Sequence, residues 1–314
     1  MLLILSESIN KRPTKNVIMK ALFMKSCREC HHTFPKSQSL CPHCARPALY
    51  PNVEAAEELD ELNKLQQRYD AALADANSRG VESAVIEFEN AVSGAKAVIA
   101  RPLSELMRLA QNDREMYASF YELVEARVRV PTDKGWDKIR VLADSALFPH
   151  YKENIRFAAL TLNEEGLPYY GECYFILRDD LIAHRASVFE ENSGEWTKRH
   201  KINIKEVDNL PVGFRATWSQ RGKLAVAKLS NKITTTTTTD SFPSLLLQPK
   251  PPAPTEDFIE VHIWGPLTIR AVEKVKGTSG GTKKQIKARA VILEAVEETL
   301  LNNGITNVTV EVSP

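Results

Sequence analysis

The sequence predicts an α+β protein, and three observations carry that prediction. Four of its five cysteines form the pairs Cys27-x2-Cys30 and Cys41-x2-Cys44. Apolar residues then recur at three- and four-residue steps from 59 to about 128. From about residue 150 short runs of β-forming residues alternate with turn residues. The expected organisation is a strand and zinc ribbon over 1–52, a helical region over 53–148 and a β-rich domain over 149–314.

A Cys-x2-Cys turn aims two thiolates at one point, and a second pair after a short loop completes the tetrahedral S4 shell that Zn2+ prefers. A structural zinc held by Cys27, Cys30, Cys41 and Cys44 is the expectation. A disulfide pair and a redox or iron site are the alternatives. The adjacent His31 and His32 can replace a cysteine ligand but need not. Such a ribbon braces a fold, binds nucleic acid or docks a partner, and it does not choose between these by itself.

With 314 residues the chain can hold two domains. Its 43% hydrophobic and 26% charged residues describe an ordinary soluble protein. The net charge of +1, from 41 basic and 40 acidic residues, excludes a nonspecific duplex-DNA binder with a large basic excess. Metal-type cysteine usage points to the cytoplasm. The opening Met-Leu-Leu-Ile-Leu run stops before Ser6 and Glu7, too soon for a signal peptide or a membrane span, and a short strand is expected there.

Leu59, Leu62, Leu65, Tyr69 and Leu73 form the apolar stripe of a first helix, with Gly80 where it stops. A second stripe carries Val85, Phe88, Val92 and Ile99. Pro102 opens a third, through Leu106, Ala110, Tyr117, Tyr121, Val124 and Val128. Two or three antiparallel helices with solvated charged faces are expected. Strands are expected at 155–162, 172–178, 185–190 and 258–264. The runs 214–219 and 224–229 flank Gln220-Arg221-Gly222-Lys223, a hairpin signature. An unbroken threonine run and clustered prolines make 234–255 an expected exposed loop with weak order. The last fifty residues predict a helix from about 282 to 302 and a strand at about 308–312. Lys283, Lys284, Lys287 and Arg289 make the first half of that helix basic.

Along 257–266, Ile259, Val261 and Ile263 alternate with Phe258, Glu260, His262 and Trp264. The first set suits a core. The second places a carboxylate and an imidazole between aromatics, a partly desolvated setting that can aim a carboxylate at a developing cation. An exposed strand face with scattered polar groups is the plainer alternative.

Two further segments change the balance, Tyr169-Tyr170-Gly171 leading into 172–178 and Arg185-Ala186-Ser187 leading to Asn192-Ser193. Taken in order with the Glu260 strand and its Gly265-Pro266 end, they resemble bacterial ADP-ribosyltransferase toxin domains. The resemblance covers roughly 150–275 and implies a split β-sheet fold that uses NAD+ as substrate. It implies that Glu260 is the catalytic glutamate, Arg185 holds the NAD+ phosphates, Ser187 orients the ribose or supports Glu260, and Tyr170 stacks on nicotinamide. His262, the second catalytic candidate, stands where a Gln or Glu often lies two residues from the catalytic glutamate, which leaves the choice of acceptor open. Arg156 and Arg178 compete with Arg185 for the phosphate role, and Arg185 can equally be a surface ion pair with Glu190 or Asp180. The closest resemblance is to the toxin of a toxin–antitoxin–chaperone phage-defence system. That implies an acceptor in RNA, or else in protein, with antitoxin and chaperone partners and no membrane association.

The alternative function is a non-enzymatic zinc-ribbon adaptor for nucleic acid or protein. Its support is the ribbon, the nearby Lys20, Lys25, Arg28 and Lys36, and the basic C-terminal helix. No Walker or Rossmann phosphate loop and no His-Glu-x2-His motif is present.

Overall fold

The computed structural model describes residues 24–27, 30–35, 38, 40–45, 50–127, 135–202, 210–249 and 257–312. The chain divides into two compact units, 1–51 and 52–314. In the first, β1 (Met24–Ser26) pairs antiparallel with β2 (Thr33–Pro35). Phe34 is buried against Cys27 and Cys41, so this unit's small core consists of one aromatic ring and its cysteines. The strand expected at residues 1–5, together with Lys20, Arg28 and Lys36, lies outside the described residues.

From the boundary onward the chain runs α1 (Pro51–Ala56), α2 (Leu59–Ser78), α3 (Glu82–Ser93), β3 (Lys96–Arg101), α4 (Leu103–Ala110), α5 (Phe120–Glu125) and α6 (Trp136–Leu147). Next come β4 (Ile155–Thr161), β5 (Cys173–Leu177), α7 (Asp179–Ile182), β6 (Ala186–Phe189), α8 (Ser193–Arg199), β7 (Arg215–Thr217) and α9 (Arg221–Leu229). It ends with α10 (Phe242–Leu246), β8 (Glu260–Trp264), β9 (Val272–Gly277), α11 (Lys283–Asn302) and β10 (Thr309–Glu311). Eight strands form one mixed sheet in the order β10-β9-β5-β3-β4-β8-β6-β7. The β10–β9 pair is parallel, and the other pairs are antiparallel.

Alternation along these strands sends Ile99, Leu160, Phe175, Val188, Val261 and Ile263 to one face. There they share a core with Leu65 of α2, Phe88 of α3, Val226 of α9 and Val296 of α11. Full burial of each such side chain stabilises by about 1.5–3 kcal/mol, so packing on the sheet holds these helices in place more than their own propensity does. The opposite face carries two smaller clusters. One contains Val98, Ala159, Tyr174 and Phe258, the other Phe148, Ile155, Phe189 and Trp196.

The centre of the sheet is where it comes apart. β3 and β4 pair at three positions, Lys96 with Thr161, Ala97 with Leu160 and Val98 with Ala159. Beyond them β3 stays with β5 as far as Arg101 opposite Cys173, while β4 stays with β8 as far as Ile155 opposite Trp264. Gly171, just before β5, fixes how close the end of β3 can come. A Cβ there would lie 1.9 Å from the Arg101 carbonyl carbon, so no side chain fits.

Several expectations need correction. Ile99 belongs to β3 rather than to a helix, because an apolar run of Ala97 and the β-branched Val98 and Ile99 is buried between two neighbouring strands. The helical region therefore contributes a central strand of the larger unit. The third stripe is two short helices, α4 and α5, the second started by a Ser119–Glu122 capping box. The expected hairpin at 214–229 is a strand followed by α9, with Gly222 in the helix because a Cβ would meet Ser93 Oγ at 2.4 Å and Glu89 O at 2.7 Å. In the expected loop, 234–241 is a mostly exposed turn whose threonine hydroxyls cap it internally, as where Thr234 N donates to Thr237 Oγ1 at 2.9 Å. Residues 242–246 instead form α10, and this helix with the following residue buries Phe242, Leu246 and Leu247, with Phe242 edge-on to Phe88 at 5.2 Å. Residues 250–256 lie outside the described residues. Arg289 does not join the basic face of α11, since its guanidinium is buried and donates to Thr278 O and Gly280 O.

Candidate functional site

A cavity of about 550 Å³ opens where β3 and β4 part. Residues 98–101 line one side and 155–159 the other. Among the other lining residues, Tyr117, Tyr121, Arg140 and Asp144 reach it from the helical region, and Tyr170, Asn192, Ser193 and Glu260 from the strands and turns beyond.

Glu260 reaches this cavity because its strand neighbours Val261 and Ile263 fill the opposite core. Asn192 caps α8, its Oδ1 accepting from Gly194 N at 2.9 Å and Glu195 N at 3.2 Å. The Ser193 N–H is left to donate to Glu260 Oε2 at 3.0 Å. His262 Nε2 meets the same oxygen at 3.0 Å, a hydrogen bond that requires its proton on Nε2. These donors offset the cost of burying a carboxylate that is 6% exposed. Among the described residues no donor meets Oε1. The imidazole is itself held by the Phe148 ring at 4.7 Å, Phe157 at 5.4 Å and Phe189 at 5.5 Å.

The other sequence candidates separate. Tyr170 lines the cavity. His262 stands behind Glu260 rather than in the wall. Ser187 lies opposite His262 in the β6–β8 ladder, and Asn52 Nδ2 sits within donor distance of Ser187 Oγ, His262 O and Arg185 O. Arg185 does not line the cavity. Its Nε donates to Leu181 O at 2.9 Å and its Nη1 to Trp264 O and to Pro266 O at 3.0 Å, tying α7 to the end of β8. Arg178 pairs with Asp180 at 3.0 Å. Arg156 does line the cavity, but its two terminal nitrogens are taken by Glu153 O and Glu122 Oε1. Arg140 makes no ion pair among the described residues and lies over the Phe120 ring at 5.4 Å.

Sequence reading overlooked Asp144, which is 1% exposed. Tyr121 Oη donates to its Oδ2 at 2.7 Å, and its Oδ1 has no hydrogen-bond partner among the described residues. Burial pushes this carboxyl from 3.8 up to about 7. The Tyr121 hydrogen bond, Arg140 and Lys152 oppose the rise, and the Glu260 charge adds to it. Burial and the Asp144 charge together hold the Tyr121 phenol protonated, far above the ordinary tyrosine range. The one signal in the sequence is an acid in the apolar stripe of α6, among Ala143, Ala146 and Leu147.

In the first unit the four cysteine sulfurs lie within 4.8 Å of one another. Cys27 and Cys44 are 3.5 Å apart, Cys30 and Cys41 3.6 Å, and none is in a disulfide. Tetrahedral coordination at about 2.3 Å per bond sets sulfurs about 3.8 Å apart, so the cluster can hold a metal ion such as zinc. The knuckles are closed by backbone bonds, His31 N to Cys27 O and Ala45 N to Cys41 O, each 2.9 Å. His32 stacks on His43 at 5.3 Å, and no histidine joins the described cluster. Among the described residues no helix is long and apolar enough to cross a membrane.

No protein-family model matches this sequence, and no curated protein is significantly similar to it.

Two outcomes are expected from these sites. Protein purified under reducing conditions should carry about one zinc per chain by metal analysis, and Cys27→Ser should lose it. Metal-free wild-type protein would contradict the cluster's assignment. For Asp144, the folded chain binds more protons than the unfolded one between about pH 4 and 7, so its contribution to stability is lost as pH rises through that range. Asp144→Asn keeps an acceptor for Tyr121. In urea at pH 8 it should be the more stable protein by on the order of a few kcal/mol, with the difference vanishing near pH 4. Parallel curves for variant and wild type would show that Asp144 ionises normally.

Proposed function

We propose that this chain is an NAD+-dependent ADP-ribosyltransferase whose active site is the cavity between β3 and β4. The observation that carries the proposal is the setting of Glu260. One oxygen of this buried carboxylate is fixed by two donors and the other has no donor among the described residues, beside a cavity within the usual size range for small-molecule sites. A carboxylate fixed in advance stabilises positive charge at the ribose C1′ as nicotinamide departs, with little reorganisation at the moment of reaction.

The remaining residues are assigned around that carboxylate. Tyr170 offers its ring to nicotinamide. Arg140, which makes no ion pair among the described residues, takes the phosphates, because a guanidinium forks onto phosphate oxygens. The same property led to Arg185 in the sequence, but its bonds to carbonyls at the end of β8 suit it to bracing the strand that carries Glu260. His262 positions Glu260, while Ser187 and Asn52 secure the strand backbone at His262. The split in the sheet and the order of the Tyr-Gly, Arg-x-Ser and Glu260 segments support the same reading. An RNA acceptor, a role as an intracellular toxin or phage-defence effector, and antitoxin and chaperone partners rest on the resemblance alone. In this scheme the metal unit serves target or partner docking.

Adenine-labelled NAD+ should be consumed in the presence of one of three separate pools, bacterial RNA, DNA or protein, with label retained on that pool. Glu260→Gln should fold normally by circular dichroism and lose on the order of 100- to 1,000-fold in transfer rate. Equal transfer by Glu260→Gln, or no transfer by the wild type to any pool, would overturn the proposal.

A further inference from the structure

Besides Glu260, two buried carboxylates line the cavity, Asp137 and the more deeply buried Asp144. Asp144 accepts from Tyr121 Oη at 2.7 Å and has no hydrogen-bond partner for Oδ1 among the described residues. A buried acid left half-satisfied is costly, and the packing of α6 gives no reason for one, since Ala143, Ala146 and Leu147 bury the same face. Tyr121 lines the cavity as well, so its phenol oxygen connects Asp144 to whatever occupies the space.

We propose that the Tyr121–Asp144 pair is the base that takes up the acceptor's proton during transfer. This inference rests on the transferase reading above. Four charged or titratable groups face Asp144. They are Tyr121 from α5, Arg140 from α6 itself, Lys152 from the turn before β4 and Glu260 from β8. Arg140 and Lys152 favour the carboxylate, whereas burial and Glu260 disfavour it, and the balance leaves a proton acceptor poised near neutral pH.

The step balances as follows. The bond from ribose C1′ to nicotinamide breaks, and its electron pair goes to the ring nitrogen, which becomes neutral. An acceptor oxygen or nitrogen forms the new bond to C1′. Its proton passes to Tyr121 Oη as the phenol proton moves to Asp144 Oδ2, and Asp144 releases that proton to solvent before the next turnover. The substrate class is therefore a neutral O–H or N–H nucleophile. A thiolate or carboxylate acceptor carries no proton and has no use for the pair.

Transfer from adenine-labelled NAD+ is measured with total bacterial RNA and, separately, with total bacterial protein. Tyr121→Phe and Asp144→Asn should each lose at least about 100-fold in transfer rate. Introduced into the Glu260→Gln background, which stops turnover, each should leave the calorimetric Kd for NAD+ within about 2-fold, since the pair acts on the acceptor and not on NAD+ binding. The wild-type rate should rise with pH around about 7, and that limb should be absent in Asp144→Asn. Variants that transfer at the wild-type rate, lose transfer only through lost NAD+ affinity, or keep the limb would overturn the base. If Asp144→Asn does not fold, Tyr121→Phe carries the test alone. A wild type that consumes no NAD+ removes the transferase reading, whereas an active wild type with unaffected variants removes only the Tyr121–Asp144 role.

Discussion

Burying Glu260 on an interior strand costs several kcal/mol unless donors meet it, and the structure around β8 is organised to supply them. The Ser193 N–H is in place because Asn192 caps α8 three residues after β6 ends its pairing with β8 at Phe189. Trp196 then anchors α8 beside Phe189, with ring centroids 5.2 Å apart. The second donor comes from the same strand two residues on, and the His262 ring keeps its orientation because three phenylalanine rings surround it. Asn52, far away in sequence, secures the backbone at both His262 and Arg185. Loosening any of these contacts would leave a buried charge short of a partner, so fold and site depend on the same few bonds.

The division of labour between the two faces of the sheet follows from this. Helices α2, α3, α9 and α11 fill one face with an apolar core, and that core supplies enough stability for the other face to be partly hollow. The hollow arises where β3 and β4 stop pairing. Close main-chain packing at Gly171 keeps β3 with β5, and the ladder to β8 keeps β4 on the other side. Helices α5 and α6 then close over the gap and bring in Tyr121, Arg140 and Asp144. A chain segment that looks in sequence like a separate helical bundle in this way forms one wall of the cavity.

Much of this was legible in the sequence wherever the signal was local. The cysteine spacing foretold a four-sulfur cluster, and the alternation over 259–263 foretold which side chains of β8 fill the core. The Asn192-Ser193 pair was visible as a motif, although its use, a backbone donor to Glu260, depends on where α8 lands. The failures share a cause. β3 is a short apolar strand next to helices, and its Ile99 fits a helical stripe equally well until β4 and β5 flank it. Gln220-Arg221-Gly222-Lys223 has turn chemistry, yet the glycine serves a close helix–helix contact. The threonine run promised disorder, but Phe242 and Leu246 just beyond it find buried partners. Arg185 meets the chemical requirement for phosphate, and in the fold its Nη1 lies on the Trp264 and Pro266 carbonyls, contributed from a distant part of the chain. Asp144 and Arg140 had no motif, because a cavity assembled from seven separate segments leaves no spacing to read.

The central claim is that the parted strands enclose a dinucleotide with its reactive carbon at Glu260. A crystal structure of the Glu260→Gln protein with intact NAD+ tests this most directly. The account predicts the nicotinamide ribose between β3 and β4, with C1′ beside residue 260, nicotinamide against Tyr170 and the phosphates at Arg140. NAD+ bound away from this cavity, or a cavity that stays empty at saturating NAD+, would contradict it.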